Sequence, residues 1–195
     1  MSTPEHAVVV VPIRSFSDAK SRLSERFTPD ERARMMQSMA ERVVDAAGPA
    51  PVVVVSSAPE VERWARTRGI AVIPDPGALD AAADAGRAWA VGRGALRVVI
   101  AHADLPLVQS LERLTAVDED DAVVAVPCHR DDGTPILSIP ATAAFRFAYG
   151  PGSFARHVAE AKRAGLDVVE LRDDPALRHD VDAPEDLAHS DHLPA

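Results

Sequence analysis

Ala7-Val8-Val9-Val10-Val11 runs directly into Pro12-Ile13-Arg14-Ser15-Phe16-Ser17-Asp18-Ala19-Lys20-Ser21-Arg22-Leu23. The first five residues are apolar and mostly β-branched, with no polar alternation. Such a run suits a strand buried on both faces, as in a parallel sheet. The strand gives way to a long loop in which Arg14, Lys20, Arg22 and Arg26 crowd together. The loop is neither a Walker loop, since it lacks glycine, nor a dinucleotide fingerprint. A basic cluster in an acidic chain fits a small bound anion as readily as a solvated surface loop.

Working outward, Val52 to Val55, Val98 to Ala101 and Ala122 to Val126 repeat the short, fully apolar pattern. Helical stretches lie between them. Pro29 to Ala47 opens with Thr28 as cap, Pro29 at the first position and acids in the first turn. Pro59 to Arg68 ends at Gly69, Leu79 to Val91 ends near Gly92, Leu107 to Val117 follows Pro106, and Ser153 to Ala164 ends at Gly165. This alternation predicts one α/β domain over residues 1–195, Rossmann-like, with a mostly parallel central sheet. Ile136 to Ile139 and Leu166 to Leu171 are expected to add strands, at least one antiparallel. Residues from about 189 to 195 read as a loose tail.

The chain's 195 residues suffice for one sizeable core, and 47% hydrophobic content excludes a disordered chain. A net charge of −9 argues against a nucleic-acid partner. No apolar run approaches the ~20 residues of a membrane helix. One cysteine, Cys128, precludes an internal disulfide, and the N-terminus lacks a signal pattern. A cytoplasmic location is the expectation.

Ligands of open α/β sheets bind beyond the carboxyl ends of the strands. That rule selects the basic loop, Ser56 to Pro59, His102 to Pro106 and Pro127 to Thr134. Of the 21 basic residues only Lys20 and Lys162 are lysine. Lys162 sits on a charged helix face, whereas Lys20 offers a compact ammonium suited to phosphate. In Ala103-Asp104-Leu105-Pro106, Asp104 ends a strand, where it either holds Mg²⁺ beside phosphates or caps the next helix. In His179-Asp180-Val181-Asp182-Ala183-Pro184-Glu185-Asp186-Leu187, Glu185 and Asp186 suit a helix dipole, and Asp182 lacks a structural duty. Asp180 and Asp182 alternate on an extended segment, so only one is expected to face a site. Gly150-Pro151-Gly152-Ser153-Phe154-Ala155-Arg156-His157 reads as a tight turn or as an anion site at a helix start that Ser153 caps.

Taken together, these segments resemble the 2-phospho-L-lactate guanylyltransferase family of coenzyme F420 biosynthesis. The resemblance runs from about Val8 to Leu187. It rests on Ala19-Lys20-Ser21-Arg22-Leu23, Ala103-Asp104-Leu105-Pro106, Asp132-Gly133-Thr134, the glycine-serine segment, and Asp180-Val181-Asp182 with Pro184-Glu185-Asp186-Leu187. It implies a nucleotidyltransferase fold of the glycosyltransferase-A type. The implied substrates are GTP and a phosphorylated three-carbon acid, which is 2-phospho-L-lactate, phosphoenolpyruvate or 3-phosphoglycerate in different members. Mg²⁺ is the implied cofactor. By position, Asp104 and Asp182 would hold the metal, and Thr134, Gly150, Gly152 and Ser153 the acceptor acid. Arg14, Lys20 and Arg22 would face the triphosphate. Asp75 and Asp80, beyond a strand, are candidates to accept from guanine N1–H and its 2-amino group. The family more often has lysine at Arg14 and asparagine at Asp80 and Pro135, and a smaller or apolar residue at His102. A downstream transferase of the same pathway and a second copy of the chain stand as candidate partners. Rival readings are a nucleotidyltransferase acting on a sugar phosphate or a molybdenum cofactor, and a non-catalytic GTP-binding protein.

The expected chemistry is in-line attack by the acceptor phosphate on the α-phosphorus of GTP, with loss of pyrophosphate. That nucleophile is already ionised at neutral pH. The site must therefore neutralise and align charge rather than supply a strong base.

Overall fold

A computed structural model describes residues 6–17, 23–24, 26–117 and 121–189. Lys20 and Arg22, the end of the tail (residues 190–195), and the segment 118–120 lie outside the described residues.

Among the described residues, seven strands form one sheet in the order β3-β2-β1-β4-β6-β5-β7. They are β1 (Ala7–Pro12), β2 (Val52–Val55), β3 (Ala71–Ile73), β4 (Arg97–Ala101), β5 (Ala122–Val126), β6 (Ile136–Pro140) and β7 (Asp167–Glu170). Strand β6 is antiparallel to both β4 and β5, and the other pairs are parallel. Alternate side chains of β1, β2, β4 and β5 feed two separate cores. Val9, Val11, Val54, Val99 and Val124 face helices α1 (Pro29–Ala46) and α2 (Pro59–Thr67). Val8, Val10, Val53, Val98 and Val123 face α3 (Leu79–Val91) and α5 (Ser153–Arg163). Burial on both faces is why these four strands read as continuous apolar runs.

Four of the five expected helix starts hold, at Pro29, Pro59, Leu79 and Ser153. Thr28 and Glu31 form a reciprocal capping box at α1, with Pro29 in its first turn. Helix α3 packs so closely on the sheet that a Cβ at Gly86 would lie 2.2 Å from Val10 Cγ1. The helix expected over Leu107–Val117 shrinks to α4 (Glu112–Thr115). Leu105, Val108 and Leu111 are buried as an irregular segment, and the Leu111 N–H donates to the Ala46 carbonyl. A tertiary hydrogen bond and core burial thus replace two helical turns. Strand β7 is shorter than Leu166–Leu171, and it is followed by α6 (Pro175–Arg178) and a 3₁₀ turn at Pro184–His189. No described helix is long and apolar enough to cross a membrane.

The crossover from β1 to β2 lies on one side of β1, and β4 is added on the other. The gap beyond the carboxyl ends of β1 and β4 is therefore the switch point of the sheet, where ligands of such folds bind.

Candidate active site

Two adjoining cavities open at that switch point. One, of about 440 Å³, is bordered by Pro12–Ser15 after β1, by Leu79, and by His102–Asp104 after β4. The other, of about 580 Å³, is bordered by Leu79, His102 and Asp104 again. Its remaining walls come from Cys128–Pro135, the Tyr149–Ser153 turn and the acidic segment at Asp180–Glu185. His102 and Asp104 form the shared wall. A separate cavity of about 730 Å³ lies at the opposite end of the sheet around Ala46–Pro51. It is lined mainly by small and apolar residues and is remote from the charged segments.

Arg14 is exposed at the mouth of the smaller cavity. Its neighbours are rigid: Ser15 donates to Glu60 at 2.8 Å, and Phe16 is buried edge-on against Trp64 at 5.4 Å between ring centroids. The loop thus leaves the sheet on a fixed base before it reaches Lys20.

The acidic wall is built by the backbone. The Val181 N–H donates to the Asp104 carbonyl at 3.1 Å, which ties the segment to the end of β4. Asp180 and Asp182 both border the larger cavity, contrary to the alternation expected of them. The segment is no strand. The amides of Asp182 and Ala183 both donate to Asp186 Oδ2 at 2.8 Å, and this turn cancels the two-residue alternation. Asp186 also differs from expectation. Rather than only facing a helix dipole, it is buried and paired with Arg130 at 2.5 Å and His129 at 3.3 Å. Burial alone would raise its carboxyl. The two amides, Arg130 and His129 outweigh that and hold it below the ordinary value. Asp180 moves the other way, because burial and the neighbouring charges of Asp104 and Asp182 favour its protonated form.

That mutual repulsion suits a divalent cation, and carboxylate oxygens are the ligands Mg²⁺ takes. Among the described residues no group of three or more His, Cys, Asp or Glu side chains is arranged as a metal cage. A cation here would complete its shell from phosphate and water, as Mg²⁺ commonly does.

The opposite wall is the glycine-serine turn. Gly152 takes a left-handed conformation (φ 71°) and is itself the N-cap of α5. Ser153 therefore does not cap the helix. Its hydroxyl lies 3.2 Å from Thr134 Oγ1, and both side chains are buried at the cavity edge. Asp132 locks the two loops together: its Oδ1 accepts from Gly152 N and its carbonyl from Phe154 N. The amides of Gly152 and Phe154 are thereby spent inside the protein, while the hydroxyls of Thr134 and Ser153 border the cavity as polar groups able to meet an anion. Gly150 borders the cavity, and Gly152 does not.

The sequence pattern assigned no role to His157. It is fully buried behind Thr134, with Nδ1 3.0 Å from Thr134 Oγ1 and Nε2 accepting from Ala148 N at 3.0 Å. Burial, the dominant influence, lowers its pKa to about 4. Asp80 and Asp75 border neither cavity. Asp80 Oδ1 accepts from Tyr149 N at 2.7 Å, pinning the glycine-serine turn to the start of α3. Asp75 Oδ1 accepts from Gly77 N at 2.8 Å. One oxygen of each is thus committed within the protein.

The strand order, a crevice at the switch point, and facing acidic and hydroxyl walls define a nucleotidyltransferase-type α/β domain. Solved structures agree on the fold. A nucleotidyl transferase from Methanothermobacter superposes with a TM-score of 0.68 at 18% identity, over 96% of this chain and 97% of that one. A CMP:2-keto-3-deoxy-manno-octonic acid synthetase complexed with CTP gives 0.59 at 18% identity, over 94% and 95%. The family model described as "Guanylyl transferase CofC like" matches residues 7–190, and the chain belongs to that family. It is 37% identical to the phosphoenolpyruvate guanylyltransferase of Sphaerobacter thermophilus, over 92% of this chain and 90% of that protein. It is 32% identical to the 3-phospho-D-glycerate guanylyltransferase of Phenylobacterium zucineum, over 92% and 87%. The chain is accordingly an enzyme of the nucleotidyltransferase class.

Proposed function

We propose that the enzyme transfers GMP from GTP to the phosphate of a three-carbon acid, with phosphoenolpyruvate as the first candidate acceptor, in coenzyme F420 biosynthesis. The observation that carries this reading is the pair of cavities meeting at His102 and Asp104. One is bounded by Arg14 at the start of the basic loop and suits a triphosphate. The other ends on paired hydroxyls and suits a small anion. The acceptor is chosen from the Sphaerobacter relative, and 2-phospho-L-lactate and 3-phosphoglycerate come after it.

Arg14, with Lys20 and Arg22 of the same loop, is assigned to the triphosphate, where cations stabilise the charge growing on pyrophosphate. Thr134 and Ser153 orient the acceptor, with Gly150 beside them and Gly152 holding the turn. The β3–α3 turn is assigned to the base: Leu79 borders both cavities, and Asp75 opens that turn. Asp80 contributes by holding the acceptor turn in place. Asp104 and Asp182 would hold Mg²⁺, which would offset the repulsion between two phosphate groups, about 4 kcal/mol per pair of unit charges at 4 Å and intermediate dielectric. Alignment of the two substrates supplies much of the remaining acceleration.

The test is how two substitutions divide between two Michaelis constants. Ser153→Ala is expected to raise the acceptor KM about 10- to 100-fold, the worth of one hydrogen bond to a charged group, and to spare the GTP KM. Arg14→Ala is expected to do the reverse. If Ser153→Ala weakens GTP and leaves the acceptor alone, the two cavities have been assigned the wrong way round.

A further inference from the structure

We propose that His157 is a positioning residue that makes the Thr134–Ser153 hydroxyl pair a net hydrogen-bond donor toward the acceptor's anionic oxygen. The proposal rests on the assignment of this pair to the acceptor.

A backbone N–H can only donate, so Ala148 N, 3.0 Å from His157 Nε2, requires that nitrogen to be bare. A neutral imidazole carries one proton, which must then sit on Nδ1. The ring is held neutral by burial, and the titratable groups around it are Asp80, Arg156, His102 and Glu160. Nδ1 lies 3.0 Å from Thr134 Oγ1 and donates to it. Thr134 and Ser153 own one hydroxyl proton each. Their mutual contact at 3.2 Å consumes one, whichever of them donates. His157 consumes none. One proton therefore remains, on one hydroxyl or the other, and both residues border the cavity.

The opposite tautomer reverses the outcome. Thr134 would donate to Nδ1 and Ser153 to Thr134. The cavity would then see only lone pairs, which repel a carboxylate or phosphate oxygen. The Ala148 amide, which does not itself border the cavity, thus sets the polarity of the acceptor wall through one ring.

Two variants separate this role from simple packing. His157→Gln can still accept from Ala148 N through its amide oxygen, but places no donor where Nδ1 was. His157→Asn places an amide N–H near the Nδ1 position and abandons Ala148. The proposal expects Gln to raise the acceptor KM about tenfold or more, with the GTP KM nearly unchanged, and Asn to stay closer to wild type in acceptor KM even if its melting temperature falls further. The reverse order, with Asn the worse in acceptor KM, would mean that His157 merely holds the Ala148 loop, and the proposal would fall. The double variant Thr134→Val/Ser153→Ala is run alongside, because Ser153→Ala alone leaves the Thr134 proton free. If the double variant raises the acceptor KM while His157→Gln does not, the proposal falls and the acceptor assignment stands. If the double variant leaves the acceptor KM unchanged, the acceptor assignment fails and takes the proposal with it. A measurement free of variants and substrates is ¹⁵N NMR of the wild-type ring. A proton on Nδ1 and a bare Nε2 at neutral pH is the expected result, and a proton on Nε2 overturns the proposal.

Discussion

Replacing Asp186 by asparagine keeps the shape of the side chain and removes its charge. Two backbone amides, from Asp182 and Ala183, meet Oδ2 at 2.8 Å. A hydrogen bond to a charged group contributes about 1.5–3 kcal/mol against about 0.5–1.5 for a neutral one, so each amide loses roughly 1 kcal/mol. Arg130 and His129 are also paired with Oδ1, but their side chains are 42% and 31% exposed. Solvent screening limits that part to about 0–1 kcal/mol. The sum is about 2–3 kcal/mol, or a fall in Tm of roughly 4–12 °C for a domain of this size. The sign with pH comes from the depressed carboxyl. Its contribution is fully present above the ordinary value of 3.8 and is lost as pH falls through the lower folded value. The gap between wild type and Asp186→Asn, read by thermal melts from pH 7 downward, should therefore be widest at neutral pH and close below about pH 4. Activity at pH 7 should also fall, because Asp182 loses the turn that presents it. Equal melting temperatures at pH 7, or a gap that does not narrow in acid, would refute the claim that this buried charge builds the acidic wall.

Three further outcomes are expected. Asp104→Asn and Asp182→Asn should each cut kcat/KM by about 10²–10⁴-fold, the double change should lose little more than the worse single, and excess Mg²⁺ should partly rescue the singles; additive losses with no response in a Mg²⁺ titration would separate the two roles. Gly86→Ala drives a methyl to 2.2 Å from Val10 Cγ1, so overpacking of about 1–3 kcal/mol should outweigh the roughly 0.5–1 kcal/mol gained in helix propensity; a calorimetric scan showing a raised Tm would contradict this packing. Asp75→Ala should erode the preference for GTP over ATP in initial rates, and an unaltered nucleotide ratio would move base recognition elsewhere.

Much of the fold was legible because burial on both faces leaves its mark in composition. The all-valine cores of β1 and β2 cannot be mistaken for amphipathic surface strands, and Thr28-Pro29 with Glu31 announces a helix start. Strand β3 is three half-buried residues and carries too little pattern to stand alone. The overlong helix after Pro106 fails because Leu105, Val108 and Leu111, whose three-residue spacing imitates a helix face, enter the core on an irregular segment. At the site, Asp182 was legible as an acid without a structural duty and Asp104 as an acid at a strand end, whereas Thr134 came only through the family resemblance and Ser153 as a helix cap, a duty that falls to Gly152. Asp186 was hidden by its context, since an acid before a helix already has an explanation. His157 was hidden in a helix whose pattern accounts for any buried ring. Their roles depend on partners both near and far along the chain, from Ala183 beside Asp186 to His129 and Arg130 on a distant loop, which only the folded chain brings together.

The most direct test of the account is ³¹P NMR of the wild-type reaction. Enzyme, Mg²⁺ and GTP are followed with and without phosphoenolpyruvate, 2-phospho-L-lactate or 3-phosphoglycerate, and ATP replaces GTP in a parallel series. The account predicts release of pyrophosphate only when GTP and a phosphorylated acid are both present, with the α-phosphorus of GTP joined to the acceptor's phosphate in a new diphosphate. Pyrophosphate release that is indifferent to the acid, or a GTP α-phosphorus that ends as free GMP, would contradict it.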